Sequence, residues 1–426
     1  MAKTRIVAGI ELGSTKISTL IAQVNVDPTT FTTSINIVGV ASVESKGIRK
    51  GQIVNIEEAV EAAISSVEAA ERMAGYNLNN AFIALGGAHV SSRNSQGVVA
   101  ISDPEGEISA NDMDRVIEAA SAVSLPSSRE IIHVIPREYV VDGEHGVKDP
   151  VGMSGVRLEV ETHLITASSS SVRNLRKAIG EVGVNIEELV FSGLASAEAV
   201  LSDTEKELGC VCIDLGGGTT SVAVFVDGAL SHSTVLPIGA KNITNDLAIG
   251  MRVSLEAAEK VKVFLSEEPK KNIKKETRTF PSEQLDLKEI GISEAKTVSR
   301  KTLVEGIIRP RLNEIFTMIR MDLERNSLAD RIPSGAIITG GGAETAGAVD
   351  SAKRMLSLPV RLGKPKGIGG LIDDVITPSF STNVGLILYG AQLEPAEHLT
   401  SFAKKIKLPS KGFAGKLVDI VRDLLP

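Results

Sequence analysis

Tryptophan is absent from the 426 residues, and aromatic side chains make up only 3% of them. With so few rings, and none interleaved with basic residues, the chain lacks the stacking platforms of a nucleic-acid binder. A formal net charge of −7 points the same way. Cysteine is nearly missing too: Cys210 and Cys212 are the two present. A spacing of one intervening residue suits neither a common zinc site nor a disulfide staple, so both read as small core residues in a reducing compartment. The six histidines, His89, His133, His145, His163, His232 and His398, are scattered, and no pair has the spacing of metal ligands. No apolar run reaches about 18 residues, which excludes a membrane-spanning helix. Met1 to Arg5 passes straight into a strand pattern, so the expected location is cytoplasmic.

What the chain has in quantity is glycine, 39 residues in all, and apolar residues, 42% against 23% charged. That balance is globular, and the length exceeds one core, so two or more domains are expected. The organising stretch is Ile213-Asp214-Leu215-Gly216-Gly217-Gly218-Thr219-Thr220-Ser221, set between the apolar runs Gly209 to Ile213 and Val222 to Val226. It reads as a tight hairpin turn. Successive glycines let the backbone close around an anion with N–H groups inward, and the acid at the strand end is placed to hold a metal ion on phosphate oxygens. Glycine-rich hairpins also occur simply as turns, and this stretch alone leaves that reading open. Ile10-Glu11-Leu12-Gly13-Ser14-Thr15-Lys16 then repeats the pattern: strand, acid, Leu-Gly, small hydroxyl residues, second strand. Two such hairpins facing each other would clamp a polyphosphate and its metal between two domains. A third cluster, Thr339-Gly340-Gly341-Gly342-Ala343, follows a strand at Ala336 to Ile338 and leads into a helix from about Thr345; glycines there would let a flat base lie against the backbone.

Three such elements in this order resemble the actin-like ATPase superfamily over nearly the whole chain. The resemblance implies an α/β, actin-like two-domain ATPase fold with ATP and Mg²⁺ as ligands. Glu11 and Asp214 would bear on Mg²⁺ and its waters; Gly13, Ser14, Thr15, Gly216, Gly217, Gly218 and Thr219 would hold phosphates, which Lys16 would approach. Gly341 and Gly342 would face adenosine. Glu259 and Lys262, three residues apart on one helix face, resemble the superfamily's ribose and adenine contacts, and read equally as an ordinary ion pair. Active filament proteins of this class place a Glu or Gln where this chain has Phe191-Ser192-Gly193. Ser192 could bond a water but cannot act as a carboxylate would, so hydrolysis should be slow or absent without a partner.

The chain order refines the match. A three-stranded meander ends by Gly47, and a helix follows at about Ile56 to Gly75, with Ala59, Ala63, Val67, Ala70 and Met73 at helical spacing. The short connection leaves no room for the subdomain that actin inserts there. Extra material lies instead between 85 and 164: strands at His89 to Arg93, Gly97 to Ile101, Glu130 to Val141 and Val156 to Thr166, and a helix at about Ala110 to Val123 with a capping-box start at Ser109 and Asp112. An actin homologue so rearranged resembles the bacterial cell-division family FtsA. The boundaries that follow are subdomain 1A at 1–84, continued by 165–197 and 372–392; the inserted subdomain 1C, of the FtsA SHS2 type, at 85–164; 2A at 198–235 and 306–371; and 2B at 236–305. A linker at 393–410 and an amphipathic helix at 411–426 close the chain. The long helical stretch Lys301 to Leu328 is expected to be interrupted at Pro310.

The resemblance also implies partners: filament self-association, other division proteins through the inserted subdomain, and the acidic C-terminal peptide of the tubulin-like protein FtsZ on subdomain 2B. The basic run Lys270 to Lys275, with Arg300 and Lys301, fits an acidic peptide and fits solvated surface equally. In the last segment Phe413, Leu417, Ile420, Val421, Leu424 and Leu425 share one helical face. From Lys404 onward six Lys or Arg face two Asp, a local +4 on a chain whose remainder is −11. A basic amphipathic helix suits an anionic bilayer surface, and FtsA proteins carry a membrane-targeting helix here; docking on its own protein is the other reading. The expected protein is thus an ATP-binding adaptor that recruits FtsZ polymers to the cytoplasmic face of the membrane at the division site. A metabolic kinase or chaperone-type ATPase on the same fold is the alternative, although no sugar site or β-rich peptide domain is visible.

Overall fold

The computed structural model describes residues 3–26, 32–103, 105–273, 283–292, 297–371 and 373–393, with Lys3 and residues 268–273 by backbone alone. The segment 394–426 lies outside the described residues, and with it nearly all of the expected linker and the residues expected to meet a membrane, Phe413, Leu417, Ile420, Val421 and Leu424.

The chain begins with a meander, β1 (Lys3–Leu12), β2 (Lys16–Val26) and β3 (Thr33–Glu44), followed by a small ribbon, β4 (Ile48–Arg49) with β5 (Gln52–Ile53). Helix α1 (Ile56–Ala74) follows because its small apolar residues Ala59, Ala63, Val67 and Ala70 recur on one face and are buried. Asn55 caps its first turn through Glu58 N–H, and Gly75 closes it in the left-handed region. The next strand, β6 (Asn80–Leu85), runs parallel to β1.

The insertion then leaves the sheet as β7 (Ser91–Ala100), α2 (Ala110–Ser121), β8 (Arg129–Val141), β9 (Glu144–Val147) and β10 (Arg157–Ser168), in the order β7-β10-β8-β9. The expected capping box of α2 is present between Ser109 and Asp112. The two short strands expected at 89–93 and 97–101 are one continuous strand, β7. Its polar middle is satisfied laterally: Asn94 Oδ1 lies 2.7 Å from His163 Nδ1 on β10.

The body resumes with α3 (Ser169–Val182), β11 (Asn185–Phe191), α4 (Ser192–Val200) and α5 (Asp203–Leu208). A second meander, β12 (Cys210–Leu215), β13 (Thr220–Val226) and β14 (Ala229–Leu236), precedes α6 (Ala240–Met251), α7 (Leu255–Ile273), the short pair β15 (Gln284–Asp286) and β16 (Thr297–Ser299), α8 (Arg300–Leu303) and α9 (Arg309–Arg325). The α-helical pattern of this last stretch is interrupted beside Pro310, as expected, while the chain path stays helical: a π-helical turn at Val304–Ile308 joins α8 to α9 and ends just before the proline. The chain ends with β17 (Ala336–Thr339), a 3₁₀ turn at Gly341–Glu344, α10 (Ala348–Leu356), β18 (Val360–Leu362), β19 (Gly369–Gly370) and α11 (Ser381–Gln392).

Two sheets of one plan result. The first runs β11-β6-β1-β2-β3-β19 and the second β14-β13-β12-β17-β18, each an antiparallel meander extended by parallel strands beside its first strand. Cys210 and Cys212 are buried in the second, where burial pushes the Cys210 thiol up to about 12. Helices α4 and α11 cross between the sheets at closest contact: a Cβ on Gly385 would stand 1.7 Å from the Ala195 carbonyl oxygen, so no larger residue fits. Adjacent residues of α11 then reach opposite sheets. Thr382 Oγ1 donates to Asp214 at 3.0 Å, while Asn383 Oδ1 accepts from Ser18 Oγ at 2.7 Å.

Candidate nucleotide site between two hairpins

Each meander's first turn carries one of the repeated motifs. In the first, Gly13 N–H bonds the Lys16 carbonyl; in the second, Gly216 N–H bonds the Thr219 carbonyl, also at 3.0 Å. The tips meet. A Cβ on Gly217 would lie 1.7 Å from Thr15 Oγ1, and one on Gly218 would lie 2.7 Å from Ser14 Oγ. Glycine at these positions permits that approach. Behind the tips a cavity of about 70 Å³ is lined by Glu11, Gly13, Ser14, Asp214, Gly216 and Thr219, together with Gly86, His89, Ser171 and Ser192.

The two acids sit in different surroundings. Asp214 accepts from Ser196 Oγ at 2.5 Å and from Thr382 Oγ1 at 3.0 Å; burial raises its pKa, and these bonds oppose the rise. Among the described residues, Glu11 Oε2 is shielded from solvent and has no hydrogen-bond partner, and the same holds for Lys16 Nζ. Burial raises the Glu11 carboxyl to about 7, with Lys16 pulling it down and Asp214 pushing it up. Burial also lowers the Lys16 ammonium, which rests 3.4 Å from the centre of the Phe380 ring. Buried polar atoms are ordinarily paired. An orphaned carboxylate oxygen and an orphaned ammonium beside a glycine cradle therefore fit a hydrated divalent cation and a phosphate.

Of the residues expected to face adenosine, Gly342, Glu259 and Lys262 converge on the start of α6. Gly341 is exposed, but Gly342 is packed inside the protein: a Cβ there would lie 2.6 Å from Leu215 and 2.9 Å from Ala240. Its glycine is thus explained by internal contact. Glu259 and Lys262 do pair, at 2.7 Å, yet Lys262 is buried and also donates to Thr244 Oγ1 at 2.9 Å. The pair fastens α7 to α6, and the partly exposed Glu259 carboxylate is what faces outward. Arg300 and Lys301 begin α8, with the Arg300 guanidinium 5.4 Å from the Phe264 ring centre. Ser192 opens α4 and shares a hydrogen bond with Ser221 at 3.0 Å.

Sequence reasoning missed Lys241. Its Nζ donates to the Ser14 carbonyl at 2.6 Å, and the first N–H groups of α6 bond the carbonyls of Gly216 and Gly217. One helix start therefore holds both hairpins. The available signal was Gly239 immediately before a helix pattern, which marks close backbone approach.

Duplicated α/β halves, crossed by two helices and meeting through glycine hairpins, define the actin-like class. Solved structures agree at the level of fold: a PilM-PilN type IV pilus biogenesis complex (TM-score 0.62, 17% identity, 91% of this chain and 99% of that one) and the ethanolamine utilization protein EutJ from Carboxydothermus hydrogenoformans (0.51, 15%, 91% and 90%). Within that class, the family model for cell division protein FtsA matches residues 211–385, and that for the SHS2 domain inserted in FtsA matches residues 87–166. Curated relatives named cell division protein FtsA include those of Pseudomonas aeruginosa (36% identical over 389 residues, 91% of this chain and 90% of the relative) and Escherichia coli (33% over 395 residues, 91% of each). The chain belongs to the FtsA family of actin-like cell-division proteins.

Proposed function

We propose that the chain binds Mg-ATP between its two hairpins and, as an assembling membrane adaptor, tethers FtsZ polymers at the division septum. The observation that supports nucleotide binding is the meeting of the hairpin tips over the unpartnered Glu11 Oε2 and Lys16 Nζ. Gly13, Ser14, Thr15 and Gly216 to Thr219 would hold phosphates, Lys16 would turn from Phe380 toward them, and Glu11 and Asp214 would hold the waters of Mg²⁺. The metal would supply charge screening between the phosphates and these carboxylates. Glu259 and exposed Gly341 would lie toward the nucleoside. Turnover is expected to be slow, because Ser192 provides no carboxylate and its hydroxyl is shared with Ser221.

Membrane attachment would rest on Phe413, Leu417, Ile420, Val421 and Leu424, and the FtsZ C-terminal peptide on the basic region containing Arg300 and Lys301. A single amphipathic helix binds weakly and reversibly; assembly presents many helices at high effective concentration. The test is co-sedimentation with anionic liposomes, with and without Mg-ATP and an FtsZ tail peptide. Leu417→Glu with Ile420→Glu should abolish pelleting while leaving nucleotide and peptide binding intact. A double variant that loses thermal stability without lipid, yet still pellets, would overturn the membrane reading in favour of a helix docked on its own protein.

A further inference from the structure

The cavity behind the hairpins is lined from two directions that the nucleotide reading does not use. Gly86 and His89 belong to the connection by which the chain leaves β6 for the inserted subdomain, and Ser171 lies just beyond β10, where it returns. Both attachments of that subdomain thus border the space beside Glu11 and Asp214. His89 Nδ1 is shielded from solvent and has no hydrogen-bond partner among the described residues. Burial and the Arg129 guanidinium lower the His89 pKa, which favours a neutral ring that can present one N–H donor. The ring's backbone is firmly held: Arg129 Nη2 donates to the His89 carbonyl at 3.1 Å and also to Ser91 Oγ and to the Thr166 carbonyl at 3.0 Å. One water needs roughly 10–15 Å³ of such space, so a cavity of about 70 Å³ has room for several waters or for a phosphoryl group.

Three residues beyond His89 the chain crosses to the other half of the molecule. Ser92 Oγ donates to the Ser233 carbonyl at 2.7 Å and accepts from Ser233 N–H at 3.1 Å. Asn94 Nδ2 reaches the Ser231 carbonyl at 3.4 Å, and His163 Nε2 lies 3.0 Å from Ser233 Oγ. The inserted subdomain is therefore attached beside the cavity and fastened by polar bonds to β14 of the second sheet. Such bonds exchange with water at small net cost, so the contact is suited to rearrangement in a way an apolar seam is not.

We infer that His89 reads the terminal phosphate of the bound nucleotide and, through the segment from Gly86 to Asn94, sets the position of the inserted subdomain against β14. This rests on the proposed nucleotide site and adds its consequence: triphosphate and diphosphate forms differ in the placement of the insertion. A triphosphate places a group in the cavity and engages the unpaired imidazole nitrogen; a diphosphate leaves that nitrogen unengaged. The differential contact is what a ligand needs in order to shift a conformational equilibrium.

The experiment uses the full chain with fluorophores on Val98→Cys, 48% exposed on β7, and Ile249→Cys, 77% exposed on α6. Cys210 and Cys212 are buried and escape labelling. Energy transfer is compared under saturating Mg-ATP and Mg-ADP, with melting curves run on the same samples. In the parent protein transfer should differ between the nucleotides, and His89→Ala and Ser171→Ala should each remove the difference. His89→Gln, which keeps a side-chain donor, should restore part of it. Equal transfer in the parent with both nucleotides, although both raise the melting temperature, would overturn the inference and leave the nucleotide site standing. So would a difference that survives in His89→Ala. If neither nucleotide raises the melting temperature, the site itself fails and the inference with it.

Discussion

The two hairpins are built on one backbone plan and differ in chemistry. In the second, Asp214 is tied down by Ser196 and Thr382 from the two crossing helices, and the tip is glycine throughout. In the first, Glu11 Oε2 and Lys16 Nζ have no hydrogen-bond partner among the described residues, and the tip carries the hydroxyls of Ser14 and Thr15. Ser14 is bonded in turn by Gly51 N–H at 3.0 Å and, through its carbonyl, by Lys241. The second hairpin is thus preorganised by the protein, whereas the first keeps its charged groups unpaired. A site built this way has one wall complete without ligand and another completed by it.

The largest expected effect comes from filling the gap between the tips. Gly217→Val should separate the hairpins, cost roughly 1–3 kcal/mol as overpacking does, and abolish any stabilisation by Mg-ATP in melting curves; a variant that melts and responds like the parent would contradict the close approach.

Exchanging the acids sharpens the contrast. Asp214→Ala removes an acceptor that two hydroxyls use and should cost about 1.5–3 kcal/mol without ligand, as well as weakening the nucleotide response. Glu11→Gln removes a buried, unpaired charge and should leave ligand-free stability unchanged or raise it by about 1 kcal/mol, while still weakening the response to Mg-ATP. Chemical denaturation distinguishes them, and equal losses of ligand-free stability would erase the asymmetry.

The smallest effect is a pH dependence. Glu11 has a folded pKa raised to about 7 from 4.5, so between these values the folded chain binds more protons than the unfolded one. Its contribution is present below about 4.5 and is lost as pH rises through about 7. Ligand-free stability of the parent should therefore fall relative to Glu11→Gln across that window, and parallel pH profiles would show that Glu11 is not so shielded.

Much of this was legible in the chain. Paired acid and glycine motifs at two strand ends announced the hairpins, the helical spacing of Ala59, Ala63, Val67 and Ala70 announced α1, and Ser109 with Asp112 announced α2. These are local signals, carried by neighbouring residues. What escaped depends on contacts distant in sequence. Asn94 and its neighbours fall in the gap between two expected strands because their partners, His163 and Ser231, lie 69 and 137 residues away. Pro310 announced an interruption, but not its form, because a π-helical turn leaves no compositional mark. The contacts of Gly342 with Leu215 and of Lys262 with Thr244 also escaped, because glycine and lysine have the same appearance in sequence whichever partner they meet.

The central claim, that the hairpins together hold Mg-ATP, is tested most directly by melting the parent protein with ATP, with and without Mg²⁺. At a hundredfold excess over Kd, Mg-ATP should stabilise the fold by about 2.7 kcal/mol, with a smaller shift when magnesium is withheld. An unchanged melting temperature at saturating Mg-ATP would contradict the account.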